Sequence, residues 1–306
     1  MVHEFAVEPQ LLNRWDRFRY LVEKFSVSQG RLMSRFPKKW KKMVYEALTD
    51  CGDIEKARIE ERLRNIDHRL IHTSRSYDAA VTWLQNAEVS HQERPFRAIL
   101  ATTNPRACSH VLDGMAVDET DPLWCIADPP EIPRLASEIA RALAPVISLG
   151  DVVVLIDPYA RTDQRRYANP LAALLNAARR TGGTFPKRIE LLIGLDLNDD
   201  SAPALDWIIE VFERTLPNLV PVNAEIKVKI LTQRDGGKKL HNRYLLTDLG
   251  GIKIDPGFDE GQPGESYELI RLSEDLYQTL WQDYASDQPA FDCIAEISIS
   301  GNRTSG

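Results

Sequence analysis

The chain has 306 residues and a formal net charge of −7, with 43% hydrophobic and 27% charged residues. This length gives room for two ordinary domains, and the composition excludes a disordered chain, a collagen-like repeat and a coiled coil. The longest clean apolar run is residues 152–156, whereas a helix that crosses a bilayer needs about 20 apolar residues, so no membrane partner is expected. The N-terminal residues lack the basic and apolar regions of a secretory signal and the four cysteines form no C-x-x-C pair, so we expect a cytoplasmic protein.

Residues 1–95 are predicted to form a helical N-terminal module. Leucine and aromatic residues recur there at three- and four-residue spacing, which is the period of an apolar helix stripe. Helices are expected near 8–26, 38–49, 53–65 and 76–86. A small helical module of this kind offers a surface for a protein partner.

The same module holds a dense basic patch. Residues 31–45 contain six Lys and Arg side chains, three aromatic residues and no acid. Cations beside aromatic rings can hold a phosphate backbone and stack bases; the alternative is a solvated helix face whose aromatic residues point inward. The candidate nucleic-acid-binding residues are Arg35, Lys38, Lys39, Lys41 and Lys42.

Residues 96–306 are predicted to form an α/β domain, because short apolar runs alternate with helical stretches. Asp157 and Asp196 each follow a predicted strand, and ligands of open α/β sheets bind beyond the carboxyl ends of strands. These acids are therefore either site residues or simple loop starts and helix caps. The expected strands are 96–100, 123–127, 152–156, 188–195 and 224–231, and the expected helices are 130–144, 170–181 and 203–216.

The most informative segment is 239–248, where His241, Arg243 and Asp248 form the pattern H-x-R-x-x-x-x-D. On a strand, residues two apart face the same side, so His241 and Arg243 are expected to project into one space. An imidazole can act as a nucleophile or proton carrier near neutral pH, and a guanidinium can hold two phosphoryl oxygens. The pair indicates phosphate chemistry.

This pattern resembles the H-x-K-x-x-x-x-D signature of the phospholipase D superfamily. Downstream features occur in that family's order: a short strand, a turn where the family has Gly-Ser-x-Asn, a Tyr-Glu pair where it often has N-x-E, and a closing helix. The strand that ends at Asp157 also resembles the opening strand of such a domain. The resemblance covers about 125–299 and implies a phospholipase D-like mixed β-sheet flanked by helices. The downstream features are 251–254, 256–259, 267–272 and 273–284.

The resemblance implies a metal-independent phosphodiesterase that acts on nucleic acid without a cofactor. His241 would attack phosphorus to give a phosphohistidine, Arg243 would neutralise the phosphoryl oxygens, and Glu268 would orient the imidazole. Asp248 completes the candidate catalytic set. Family members that hydrolyse phosphodiesters use two facing histidines, so a single motif implies a homodimer whose two-fold axis passes through the site. A single-motif nuclease with an extra helical module would suit restriction or defence against foreign DNA, but this role is an association and does not follow from the residues.

The chain also departs from the family, and two alternatives stay open. Arg243 replaces the lysine of the signature, the Ser and Asn of the family's Gly-Ser-x-Asn turn are unmatched, and only one motif is present. These departures favour a catalytically degenerate dimeric module that binds nucleic acid or a protein partner. A metal-dependent nuclease is the other alternative, because carboxylates at strand ends suit Mg²⁺. Its candidate ligands are Asp157, Asp196, Asp199 and Asp200.

Overall fold

The computed structural model of the protein describes residues 1–49, 51–127 and 131–302, without the side chain of His68. The chain divides into two compact units, residues 1–128 and residues 129–306. Both contain a β-sheet with helices, so the α/β class predicted from the sequence is confirmed.

The first unit alternates short strands with helices. Its described elements are β1 (His3–Val7), α1 (Trp15–Glu23), β2 (Arg31–Ser34), α2 (Trp40–Ala47), α3 (Asp53–Arg64), β3 (Leu70–Ile71), α4 (Trp83–Glu93), β4 (Ile99–Ala101) and β5 (Val111–Asp113), with 3₁₀ turns at Pro9–Leu12 and Asp67–Arg69. The strands form a sheet in the order β3-β2-β1-β4-β5. All of its described pairings are parallel, so the chain returns across the sheet between consecutive strands.

The prediction of a purely helical module over residues 1–95 is wrong. β1 and β2 are short and almost wholly buried, so they lack the alternation that marks a half-exposed strand. The helix expected near 8–26 begins only at Trp15. β4 pairs with β1, which places residues 96–127 in the first unit and not in the second.

The strand predicted at 123–127 is also absent; this segment is a turn that carries Trp124 into the first core. Trp124 is fully buried, and its carbonyl oxygen accepts hydrogen bonds from the guanidinium of Arg31. The residues of this segment are therefore apolar because they pack into the core, although they do not form a strand.

The second unit is built on a mixed sheet. Its described elements are β6 (Ile132–Pro133), α5 (Ala136–Ile147), β7 (Val152–Ile156), α6 (Arg165–Ala177), β8 (Arg188–Gly194), α7 (Leu205–Thr215), β9 (Glu225–Thr232), β10 (Tyr244–Thr247), β11 (Gly250–Asp255), β12 (Ser266–Arg271), α8 (Glu274–Tyr284) and β13 (Asp292–Ser300), with a 3₁₀ turn at Leu216–Asn218. The strand order is β13-β9-β8-β7-β10-β11-β12-β6. The strands predicted at 152–156, 188–195, 224–231, 242–248 and 267–272 lie in this one sheet, as expected.

The helices of the second unit differ from the prediction at their ends. α5 continues through Pro145 to Ile147, because Val146 and Ile147 are buried and hold the last turn against the sheet. The predicted first residue of this helix, Pro130, lies outside the described residues. α6 starts at Arg165, before its expected start at residue 170. No helix among the described residues is both long and apolar enough to span a membrane.

Strand direction fixes where a site can form. β7, β8 and β9 are parallel, so their carboxyl ends meet at one edge of the sheet. β10 runs antiparallel to β7, with Tyr244 opposite Ile156, so β10 begins at the edge where β7 ends. The residues just after β7 and just before β10 therefore lie side by side.

Candidate functional site

Asp157 and Tyr159 follow β7 at this edge. The Asp157 side chain is only 1% exposed, and its two oxygens accept hydrogen bonds from the backbone amides of Tyr159 (3.0 Å) and Phe258 (3.2 Å). Asp157 thus ties the loop after β7 to the turn after β11. Tyr159 is 45% exposed, which leaves its ring at the surface of the site.

His241 lies against Tyr159. The Tyr159 hydroxyl is 2.8 Å from Nδ1 of His241, and the two rings meet edge to face with centroids 6.0 Å apart. His241 is exposed, and the hydrogen bond at Nδ1 leaves the Nε2 atom available to a ligand. An imidazole held at one nitrogen and open at the other is suited to nucleophilic or proton-transfer chemistry.

Arg243 occupies the space between Tyr159 and Asp157. Its guanidinium carbon lies 4.7 Å from the centroid of the Tyr159 ring, and its Nε atom lies 4.0 Å from Oδ1 of Asp157. The Nε atom is buried and has no hydrogen-bond partner among the described residues. The structure therefore brings His241 and Arg243 together, as predicted, but both precede β10 and do not lie on it.

Gly257 lies close to the side chains of Arg243 and Asp259. A Cβ atom at position 257 would lie 3.1 Å from Oδ1 of Asp259 and 3.4 Å from Nε of Arg243. Both distances are shorter than a comfortable contact, so the glycine gives Arg243 its room. The sequence resemblance places this turn where the phospholipase D superfamily has its Gly-Ser-x-Asn segment.

Asp259 anchors the same turn. Its carboxylate pairs with Arg134, and its Oδ2 atom lies 3.8 Å from the Arg166 guanidinium. Its carbonyl oxygen accepts hydrogen bonds from Arg134 Nε and from the Tyr267 hydroxyl, each at 3.0 Å. The turn is therefore rigid and acidic, where the family pattern supplies neutral donors.

Glu268 does not reach His241, which corrects its predicted role. It lies in β12 opposite Asp255, and its side chain is exposed. The partner of the His241 ring is Tyr159 instead. The sequence indicates Asp157 as a possible site residue at a strand end, but it does not identify Tyr159, because only the pairing of β7 with β10 brings Tyr159 next to His241.

We expect Tyr159→Phe to lower any His241-dependent activity by about 10- to 100-fold. The imidazole gains positive charge as Nε2 attacks, and a hydrogen bond to a charged group contributes about 1.5–3 kcal/mol. Glu268→Gln is the matched control and is expected to leave the rate unchanged. Steady-state kinetics of both variants test this, and a larger loss in Glu268→Gln would restore the original assignment.

Asp248 lies at the opposite end of β10. Its Oδ1 atom accepts a hydrogen bond from the backbone amide of Val152 at 3.0 Å, where β7 begins. The four residues of β10 separate Asp248 from Arg243, so the two lie five residue steps, or about 17 Å, apart. Asp248 is therefore a structural residue that joins two strands, and it does not belong to the His241 site.

The alternative of a metal-dependent nuclease finds no support in the arrangement of the acids. The described residues contain no group of three or more His, Cys, Asp or Glu side chains placed to hold a metal ion. Asp196 and Asp199 instead accept hydrogen bonds from backbone amides two residues ahead, those of Asn198 and Ser201. These acids are loop starts.

The aromatic residues of the basic patch point inward. Phe36 and Trp40 are fully buried, and the Trp40 indole donates a hydrogen bond of 2.7 Å to the carbonyl oxygen of Val7. Neither ring is therefore available to stack on a base. The patch matches the solvated helix face that was the alternative in the sequence.

Acidic neighbours partly neutralise the cations of the patch. Asp67 pairs with Lys41 at 2.8 Å, and Glu46 lies 3.5 Å from Lys42 on the same helix. Arg35 donates to the carbonyl oxygen of Lys38, while Lys38 and Lys39 are exposed. Replacement of Lys38, Lys39, Lys41 and Lys42 by alanine is expected to leave the salt dependence of nucleic-acid binding unchanged. A slope reduced by about 0.7–0.9 per lysine in a filter-binding titration would contradict this.

Burial raises the pKa of the Asp157 carboxyl above its ordinary value, although the amides of Phe258 and Tyr159 and the charge of Arg243 act to lower it. The native protein therefore holds this proton at higher pH than the unfolded chain does. The free energy of unfolding contributed by Asp157 is largest below about pH 4, and it decreases as the pH rises through the raised pKa.

Asp157→Asn is expected to remove this pH-dependent component. Urea denaturation of both proteins between pH 4 and pH 8 measures it, and the difference in free energy of unfolding between wild type and variant should change across this range. A constant difference would contradict the raised pKa.

The chain shows no match to a protein-family model, to a curated protein or to a solved structure. Its resemblance to the phospholipase D superfamily therefore depends on its own motif and on the order of the elements around it. The roles of His241, Arg243 and Tyr159 are therefore inferred from their geometry.

Proposed function

We propose that this chain is a metal-independent phosphodiesterase that acts on nucleic acid and uses His241 as its nucleophile. The observation that carries the proposal is the placement of His241: Nδ1 is held by Tyr159 at 2.8 Å, Nε2 is open, and Arg243 lies beside it. The three groups stand at the carboxyl edge of a parallel set of strands, where α/β proteins bind ligands.

The proposed reaction begins with attack of Nε2 of His241 on phosphorus. A P–N bond forms, the bond from phosphorus to the leaving oxygen breaks, and that oxygen takes a proton from an acid on the opposite side. Water then attacks the phosphorus of the phosphohistidine: a P–O bond forms, the P–N bond to His241 breaks and frees the imidazole, and the same opposite group, now a base, accepts the proton of that water. The fixed charge of Arg243 offsets the negative charge on the phosphoryl oxygens.

Tyr159 supports the nucleophile by holding Nδ1 of the imidazole in a hydrogen bond. When Nδ1–H donates to the tyrosine oxygen, the lone pair lies on Nε2, where the attack requires it. Tyr159 thus performs the orienting task predicted for Glu268, with a neutral hydroxyl in place of a carboxylate.

The opposite acid and base would be His241 of a second copy. None of the other five histidines is followed by Lys or Arg two residues on, and the described His91 and His110 stack on each other in the first unit. Two facing sites require a two-fold homodimer with the reactive nitrogens on either side of one phosphorus atom. Light scattering of the purified protein should therefore give twice the monomer mass.

A binding module that has lost catalysis is the second candidate, and Asp259 is the observation that favours it. An acid stands at the turn where the family supplies neutral groups, and it adds negative charge near the phosphate position. Its pairing with Arg134 offsets part of this charge.

Incubation with single-stranded DNA, double-stranded DNA and RNA in EDTA separates the two candidates. Cleavage of any of them, with acid-labile and base-stable labelling of the protein by a ³²P substrate, is the expected result. Binding without cleavage and without labelling would reject the enzyme and support the binding module.

A further inference from the structure

A cleft of about 710 Å³ lies next to the His241 site, because Tyr159, the partner of His241, is one of its lining residues. The loops after β7, β8 and β9 form this cleft, and Tyr159 and Leu240 belong to its wall. Its volume lies within the range of about 300–1,000 Å³ that is typical of pockets for small ligands. Buried apolar side chains of Ile193, Leu195 and Ile208 line its base.

The charges of the cleft are balanced. Its charged lining residues are three arginines and three aspartates: Arg161, Arg166, Arg234, Asp196, Asp199 and Asp235. Each arginine already has an acidic neighbour, because Arg161 pairs with Asp163, Arg234 with Asp292, and Arg166 lies 3.8 Å from Asp259. A long polyanion is held by an excess of basic side chains, and this lining supplies no such excess.

Flat side chains border the cleft. The Arg161 guanidinium lies 4.7 Å from the Trp207 ring, and the Arg166 guanidinium lies 4.8 Å from the Tyr167 ring. Tyr159 presents an exposed ring next to His241. Planar groups of this kind are suited to stack on a base without sequence preference.

We infer, on the basis of the function proposed above, that the substrate places one nucleoside in this cleft and one phosphodiester at His241 and Arg243. The chemistry that fits is a base and sugar joined through a single phosphodiester, as at the end of a single strand or in a dinucleotide. The interior of a duplex does not fit, because its bases are paired and its flanking phosphates would meet a lining that has no excess of basic side chains.

Four probes in EDTA test the inference: bis(4-nitrophenyl) phosphate, a dinucleotide, a linear single-stranded oligonucleotide, and the same oligonucleotide closed into a circle. We expect the linear strand or the dinucleotide to be cleaved at least tenfold faster than the circle. The rate on the linear strand should fall with a salt slope of about 0.7, as for one phosphate contact.

The outcomes separate this inference from the proposed function. Hydrolysis of the circle within tenfold of the linear strand and the dinucleotide would overturn the inference while leaving the phosphodiesterase in place. Hydrolysis of none of the probes would overturn both.

A variant that fills the cleft gives a second test. Ala202→Trp, in the lining, is expected to lower kcat/KM for the linear strand or the dinucleotide at least tenfold and to change hydrolysis of bis(4-nitrophenyl) phosphate less than twofold. Gln282→Trp, at an exposed position of α8 outside the cleft, is the control and should change neither. An equal loss on both substrates, or none on either, would overturn the assignment of the cleft.

Discussion

Replacement of His241 by alanine is expected to lower EDTA-resistant phosphodiester hydrolysis by at least about 1,000-fold, because it removes the nucleophile and with it the covalent route. The stability of the fold should be nearly unchanged. His241 is exposed, and substitutions at exposed positions usually change the free energy of unfolding by no more than about 0.5 kcal/mol. Initial rates in EDTA and a urea denaturation curve for the same preparation measure the two effects separately.

His72→Ala is the matched control, because His72 is also an exposed histidine but lies in the first unit. It should retain the wild-type rate. Activity of His241→Ala within tenfold of wild type would exclude His241 as the nucleophile, and loss of activity in both variants would point to a general effect of histidine removal on the protein.

Arg243→Lys is expected to lower the same activity by about 10- to 100-fold, although lysine is the residue of the family signature. The surroundings of Arg243 suit a guanidinium: its central carbon lies 4.7 Å from the centroid of the Tyr159 ring, its Nε atom lies 4.0 Å from Asp157, and Gly257 leaves room beside it. An ammonium group is a compact point charge that provides neither the stacking nor the fixed pair of donors. Lysine would therefore restore the charge but not the geometry.

Arg141→Lys, at an exposed position of α5, is the control for the chemical change itself. Kinetics should separate the causes, since weaker phosphate contact in the transition state lowers kcat, whereas weaker ground-state binding raises KM. Full activity of Arg243→Lys would show that the pocket accepts any cation and that the contacts of the guanidinium with Tyr159 and Asp157 have no catalytic role.

The sheet of the second unit could be predicted from the sequence because its strands are strongly marked. The run 152–156 is apolar throughout, as expected for a strand buried on both faces, and β7 is found there. The first unit could not be predicted in the same way. β1, β2 and β4 are three to five residues long, and only their pairing with one another distinguishes them from loops or helix ends.

The residues of the candidate site also differ in how well the sequence predicts them. His241 and Arg243 are two residues apart, so local spacing was enough to bring them together. Tyr159 and Gly257 act through the pairing of distant segments, and no local pattern marks them as members of the site. Only the resemblance to the family indicates that Glu268 orients the His241 imidazole, and the register of β12 places Glu268 opposite Asp255 instead.

The antiparallel position of β10 beside β7 also sets when the site forms. Tyr159 and His241 are separated by 82 residues, and they meet only after β8 and β9 have been passed and β10 has paired with β7. A growing polypeptide that ends before His241 therefore lacks one half of the hydrogen-bonded pair, however well its earlier strands have folded. If the proposed function holds, reactivity toward phosphodiesters is thereby tied to the pairing of β10 with β7, and a partly synthesised chain lacks the assembled nucleophile.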